Sequence, residues 1–122
     1  MRILVVDRDE DRRDLTCVAV CVLGHRAEEA WDTRGALAAL ATEAFDVVIV
    51  DDQIPAVAEV TEFLLATTGP ARRRAAVVVV STDPDVRRRT ALLRAGVVEV
   101  VTRPLSLAPL YGLLARIDRA RL

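Results

Sequence analysis

The chain has 122 residues, 52% of them hydrophobic and only 3% aromatic, with a formal net charge of −1. That length and composition exclude a disordered chain and imply one domain with an aliphatic core, residues 1–122. No apolar run approaches a membrane span and no leader pattern precedes the first strand, which suits a cytoplasmic protein without membrane contact. The charge is unevenly spread: residues 1–61 hold 6 Arg and 13 acids, residues 62–122 hold 11 Arg and 5 acids, and there is no lysine. Elements from the two halves interleave in a compact domain, so the split does not dictate a bipolar surface.

Ile3-Leu4-Val5-Val6 is expected to form a strand buried on both faces, ending at Asp7. The cluster Asp7-Arg8-Asp9-Glu10-Asp11 suits a helix N-terminus, where negative charge is favoured. Leu15, Val18, Ala19 and Val22 mark one helical face, taken as the core face, and Gly24 closes the helix. Cys17, Val20 and Cys21 form a second stripe. The two cysteines are badly placed for a disulfide and lack further metal ligands, so they read as small buried hydrophobes. His25, the only histidine, has no catalytic partner in sequence reach and reads as a surface residue.

Arg26 to Ala30 is a weak edge strand, ended by Trp31 as a packing residue. Asp32 or Thr33 caps a helix with Ala36, Leu37, Leu40 and Ala41 at helical spacing. Phe45-Asp46-Val47-Val48-Ile49-Val50 is another buried strand, stopping at Asp51-Asp52-Gln53 before Ile54-Pro55. A helix around Val60 to Thr67 ends at Gly69-Pro70, and Arg72-Arg73-Arg74 falls in the following loop. Two arginine triplets without interleaved aromatics read as solvated faces, so direct nucleic-acid binding is not expected.

Val77 to Val80 is the next buried strand, with Ser81 and Thr82 at its end. Asp83-Pro84-Asp85 starts a helix that runs through Ala95 to a stop at Gly96. Val97 to Val101 is the last strand, Arg103-Pro104 turns the chain, and Ser106 caps a helix from Leu107 to about Arg119. Strand and helix thus alternate five times, which argues for a doubly wound parallel α/β sheet. Neither a Gly-rich dinucleotide loop nor a P-loop occurs. In a parallel sheet the strand ends share one edge, so Asp7, Asp51, Asp52, Ser81 and Arg103 are expected to form one cluster.

These segments, in this order, resemble a response-regulator receiver domain of two-component signalling. The resemblance rests on Ile3-Leu4-Val5-Val6-Asp7, Phe45 to Pro55, Val80-Ser81, Ala95-Gly96 and Arg103-Pro104-Leu105-Ser106. It implies a flavodoxin-like fold with strand order 2-1-3-4-5 and five helices, and a non-enzymatic phosphoprotein of a phosphorelay. Asp51 would be the phosphoacceptor for a histidine kinase, and Ser81 the hydroxyl that follows the phosphoryl group. Pro104 would follow a cis peptide bond, and magnesium would sit on Asp7, Asp51 and the Gln53 backbone.

Four positions depart from the family pattern. Arg8 stands where a second metal-binding acid is usual, Arg103 where lysine is usual, Val100 where the switch aromatic is usual, and Glu59 where glycine is usual. A guanidinium at Arg8 would change the local charge by two units, and magnesium depends on hard carboxylate oxygens. The expectation is therefore an atypical receiver whose acid pocket, Asp7, Arg8, Asp9 and Asp52, is filled by Arg8 paired with Asp51 or Asp7. In the other arrangement Asp9 swings in as the missing acid and Arg8 points to solvent.

Three functions fit: an atypical receiver acting independently of phosphorylation, a conventional magnesium-dependent receiver under a histidine kinase, and, last, a hydrolase with Asp51 as nucleophile. The third lacks an evident acid–base group. Two surfaces are candidates for self-association, the last helix with its wide apolar face from Leu107 to Ile117 and the Cys17–Val20–Cys21 stripe of helix one; the other reading of each is deeper burial in the core.

Overall fold

In the computed structural model, residues 1–53, 63, 75–82 and 85–121 are described. Five strands carry the fold: β1 (Arg2–Val6), β2 (Arg26–Ala30), β3 (Val47–Asp51), β4 (Ala76–Ser81) and β5 (Glu99–Thr102). They form one parallel sheet in the order β2-β1-β3-β4-β5. The described helices are α1 (Glu10–Val22), α2 (Thr33–Thr42), α3 (Val86–Ala95) and α4 (Leu107–Ala120). The helix expected around Val60 to Thr67 lies outside the described residues except for Phe63, which is helical and fully buried.

Alternate strand residues point to opposite faces, and the two faces feed two cores. Leu4, Val6, Val48, Val50, Val77 and Val79 pack on one side with Ala36, Leu40 and Leu92 of α2 and α3. Ile3, Val5, Ile49, Val78 and Val80 pack on the other with Val20 of α1 and Leu110, Leu113, Leu114 and Ile117 of α4. Burying each such side chain is worth about 1.5–3 kcal/mol, which explains why nearly continuous valine runs give the central strands.

Caps set the helix starts. Asp9 accepts a hydrogen bond from the Arg12 amide and Asp32 one from the Gly35 amide, each satisfying an orphan donor of the first turn. Asp85 does the same for α3, and Gly96 ends that helix at φ 116°, a conformation that glycine adopts without strain. Ser106 stands at the N-cap of α4 but its side chain makes no capping bond, contrary to expectation. The last strand also begins later than its valines suggest, because the Val97 amide bonds back to Leu92 and closes α3.

The phase of α1 differs from the reading of its apolar residues. Its buried positions are Arg13, Thr16 and Val20, whereas Leu15, Val18 and Val22 stand in solvent. Two polar residues can face the sheet because each finds a partner: Arg13 donates to the Asp7 carbonyl and Thr16 to the Arg12 carbonyl. Cys17 is half-buried and Cys21 exposed, so Cys21 is not a core residue. Trp31 is exposed as well, its ring 5.8 Å from the Arg13 guanidinium carbon.

Candidate functional site

Register decides which strand ends meet. Val6 pairs with Val50, so the next residues, Asp7 and Asp51, emerge side by side between β1 and β3. Asp51 pairs with Val80, and Ser81 with Thr102, which puts Ser81 and Arg103 beyond the neighbouring ends. The strand order reverses at β1, and this switch point is where open α/β sheets place their sites. Asp7 and Asp51 are only 2% and 4% exposed.

Two buried carboxylates so close together need compensation, and two arginines supply it. Arg12 of α1 grips Asp7 side-on, with Nε 3.2 Å from Oδ2 and NH2 3.0 Å from Oδ1, and the same NH2 lies 3.6 Å from Asp51 Oδ2. Arg103, following β5, bridges the pair: its NH2 donates to Asp7 Oδ2 at 3.1 Å and to Asp51 Oδ1 at 3.0 Å. The Asp9 amide adds a bond to Asp7 Oδ1, and the Gln53 amide a longer one of 3.3 Å to Asp51 Oδ2. Hydrogen bonding to Asp7, and then its charge, push the Arg12 pKa above its usual value. The Asp7–Asp51 pair is thus matched by two guanidiniums.

Arg8 is not part of it. Its side chain is exposed and borders a shallow surface pocket with Glu10, Arg13, Trp31 and Asp32, on the other side of the turn. The expected pairing of Arg8 with Asp7 or Asp51 is therefore corrected, and Arg12 takes the position assigned to it. Asp9 does not swing in either, since its carboxylate is committed to capping α1. The capping bond from the Arg12 amide holds the Asp9 pKa below the usual carboxylate value. Arg12 carried a signal in the sequence: it stands in the first turn of a helix that starts at the edge where Asp7 ends its strand.

Ser81 is buried, and its hydroxyl donates to Asp52 Oδ2 at 2.6 Å, so its partner is Asp52 and not Asp51. The Asp52 carbonyl in turn accepts from Arg88 of α3 at 2.5 Å. Val100 is buried in the core on the α2–α3 side of the sheet. The Arg103–Pro104 peptide bond is cis. Gln53 is exposed, while Ile54, Pro55, Glu59 and the triplet Arg72–Arg73–Arg74 lie outside the described residues. His25 sits at the far end of α1, its Nδ1 2.9 Å from the Met1 amino nitrogen, well away from the acids.

The donor set as arranged does not fit a magnesium ion. Each carboxylate oxygen of Asp7 accepts from two N–H groups, and Arg12 and Arg103 place two guanidiniums where a divalent cation would have to sit. Among the described residues no group of three or more His, Cys, Asp or Glu converges in a metal-binding arrangement.

Parallel order β2-β1-β3-β4-β5 with an ionic site at the carboxyl edge defines a doubly wound α/β protein of the flavodoxin-like type. No protein-family model and no curated protein matches the sequence. Solved structures do match. A two-component response regulator from Clostridium difficile superposes with a TM-score of 0.85 at 17% identity, over 98% of this chain and 96% of that one. The receiver domain of a sensor histidine kinase from Pseudomonas aeruginosa, which has a magnesium ion coordinated in its active site cleft, gives 0.80 at 20% identity, over 96% and 97%. NtrX from Brucella abortus gives 0.84 at 26% identity, over 98% of this chain but 26% of that longer one. The fold is that of the response-regulator receiver domain.

Proposed function

We propose that the chain is an atypical receiver, a signalling module that works by binding and does not depend on metal-assisted phosphorylation of Asp51. The observation that carries this reading is the double guanidinium clamp. Arg12 and Arg103 neutralise Asp7 and Asp51 and occupy the carboxylate oxygens that a metal would need. With Asp7 and Asp51 already paired, the pocket is held in one state, and the surface around it is what a partner reads. The partner class is a histidine kinase or another signalling protein of the same route. The module is cytoplasmic, makes no direct contact with nucleic acid and is not an enzyme. Among the described residues no helix is long and apolar enough to cross a membrane.

One observation favours the conventional alternative. The Arg12 side chain is 34% exposed and rides on the first turn of α1, so a rotamer change there would leave Asp7 and Asp51 held by Arg103 alone and open one side of the pair to a metal. A hydrolase reading has less support, since the sole histidine is remote from Asp51. Titration with acetyl phosphate and magnesium, followed by intact mass, separates the readings. The expected result is little or no phosphoprotein; prompt, stoichiometric labelling abolished by Asp51→Asn would overturn it in favour of the conventional receiver.

A further inference from the structure

At the edge of the sheet opposite the acid site, where β4 and β5 begin, the molecule has a cavity of about 410 Å³. Small-molecule sites span about 300–1,000 Å³. The cavity is lined by Ala75 and Ala76 at the start of β4, by the chain leading from Gly96 into β5, and by the last turns of α4. From α4 it takes Leu113, Arg116, Ile117, Ala120 and Arg121, whose spacing puts them on one helical face. Protein interiors pack as densely as organic crystals, so a space of this size against Leu113 and Ile117 departs from ordinary core packing. Val98, which also lines it, is 49% exposed, an apolar side chain that the core leaves uncovered.

Charge selects the ligand. Arg121 is committed to Asp46, with NH2 3.0 Å from Oδ1 and NH1 donating to the carbonyl at 3.2 Å. Glu99 is committed to Arg89, whose NH2 lies 3.2 Å from its Oε1, and accepts from the Val100 amide. Arg116, the remaining charged lining residue, is exposed and has no hydrogen-bond or ion-pair partner among the described residues. The other exposed charges on nearby helix ends are Arg94, Arg119 and Asp118. Asp118 lies close enough to His25, just past α1, for their charges to interact, which puts it on the other side of α4. We propose that this cavity binds a small apolar carboxylic acid in its ionised form. Its apolar body packs against Val98, Leu113 and Ile117, and its carboxylate meets the guanidinium fork of Arg116, which matches a carboxylate in plane and spacing. Glu99 disfavours a second negative group, so the ligand carries one. The site is separate from Asp7 and Asp51 and does not depend on how those acids are read.

Titration of the isotope-labelled full chain with naphthoate, followed by amide chemical shifts, tests this. Saturable shifts are expected at Ala76, Gly96, Val98 and Ala120, with little change at Asp7, Leu15 or Asp51. Naphthamide, which has the same shape without the charge, should bind at least about tenfold more weakly. Arg116→Gln should weaken naphthoate by a similar factor and leave naphthamide unchanged, a split that a loss of structure would not produce. Ala120→Trp, at an exposed lining position, should block both ligands while the far-UV spectrum stays that of the wild type. Shifts that never saturate, or that map to the groove between α1 and α4, overturn the proposal. So does equal affinity for the acid and the amide, or undiminished naphthoate binding by Arg116→Gln.

Discussion

Arg12 holds Asp7 with two of its nitrogens, at 3.2 and 3.0 Å, and its NH2 reaches to 3.6 Å from Asp51. A helix side chain thereby closes a site whose acids stand at the ends of β1 and β3. Arg12→Ala should leave Asp51 with less compensation and lower stability by about 1–2 kcal/mol, less than for a fully buried pair because Arg12 is partly exposed. It should also open the site to cations. Millimolar magnesium or manganese should raise the melting temperature of the variant and leave the wild type unmoved. Equal metal responses in both would show that Arg12 does not guard the acids.

Arg103 is the more deeply set of the two, 16% exposed against 34%, and it bridges both acids. Arg103→Ala should cost more, about 2–4 kcal/mol in urea denaturation. Arg8→Ala, at an exposed side chain outside the cluster, should stay within about 0.5 kcal/mol of wild type. The order Arg103, Arg12, Arg8 distinguishes this site from one in which Arg8 is the built-in cation.

Ser81 is buried, and its hydroxyl donates to Asp52 Oδ2 at 2.6 Å. Ser81→Ala removes that bond and should destabilise by about 1 kcal/mol. Ser81→Thr keeps the hydroxyl and should recover part of the loss. A neutral Ser81→Ala would mean that Asp52 exchanges the serine for water at no cost.

Acidification should weaken the fold in two steps. Burial, and secondarily the neighbouring amino-terminal charge, lower the His25 pKa from 6.5, so the unfolded chain binds a proton first as pH drops below about 6.5. Stability falls through that window and then levels once folded His25 is also protonated. The Asp9 pKa is lowered from 3.8, chiefly by the bond from the Arg12 amide. Its contribution is complete above the unfolded value and is lost as pH falls through the lower folded one. Urea midpoints measured against pH should show both steps, with His25→Ala removing the upper and Asp9→Asn blunting the lower.

The two cysteines should differ sharply in reactivity. Burial first, and then the nearby Glu29, push the Cys17 thiol up to about 12, so almost no thiolate is present at pH 8. Cys21 is exposed. Alkylation followed by peptide mapping should modify Cys21 at least about 100-fold faster than Cys17 in the folded protein. Comparable rates would place Cys17 in a more open environment.

The sheet and the address of the site are legible in the order of residues alone. Valine runs broken by acids can form only short strands buried on both faces, and right-handed crossovers leave few ways to order them. Asp7, Asp51, Ser81 and Arg103 are therefore legible as neighbours from their places at the strand ends. The tertiary structure decided which cation enters the pocket. Arg8, Arg12 and Arg13 lie within six residues of one another, and the rotation of α1 against the sheet selects Arg12 for the acids and Arg13 for the Asp7 carbonyl, while Arg8, in the turn before α1, stands in solvent. That rotation could not be read from hydropathy, because α1 turns its polar Arg13 and Thr16 inward, where partners await them, and leaves Leu15, Val18 and Val22 outside. A helix phase is set by the sum of contacts on both faces, and apolar spacing reports only one part of that sum.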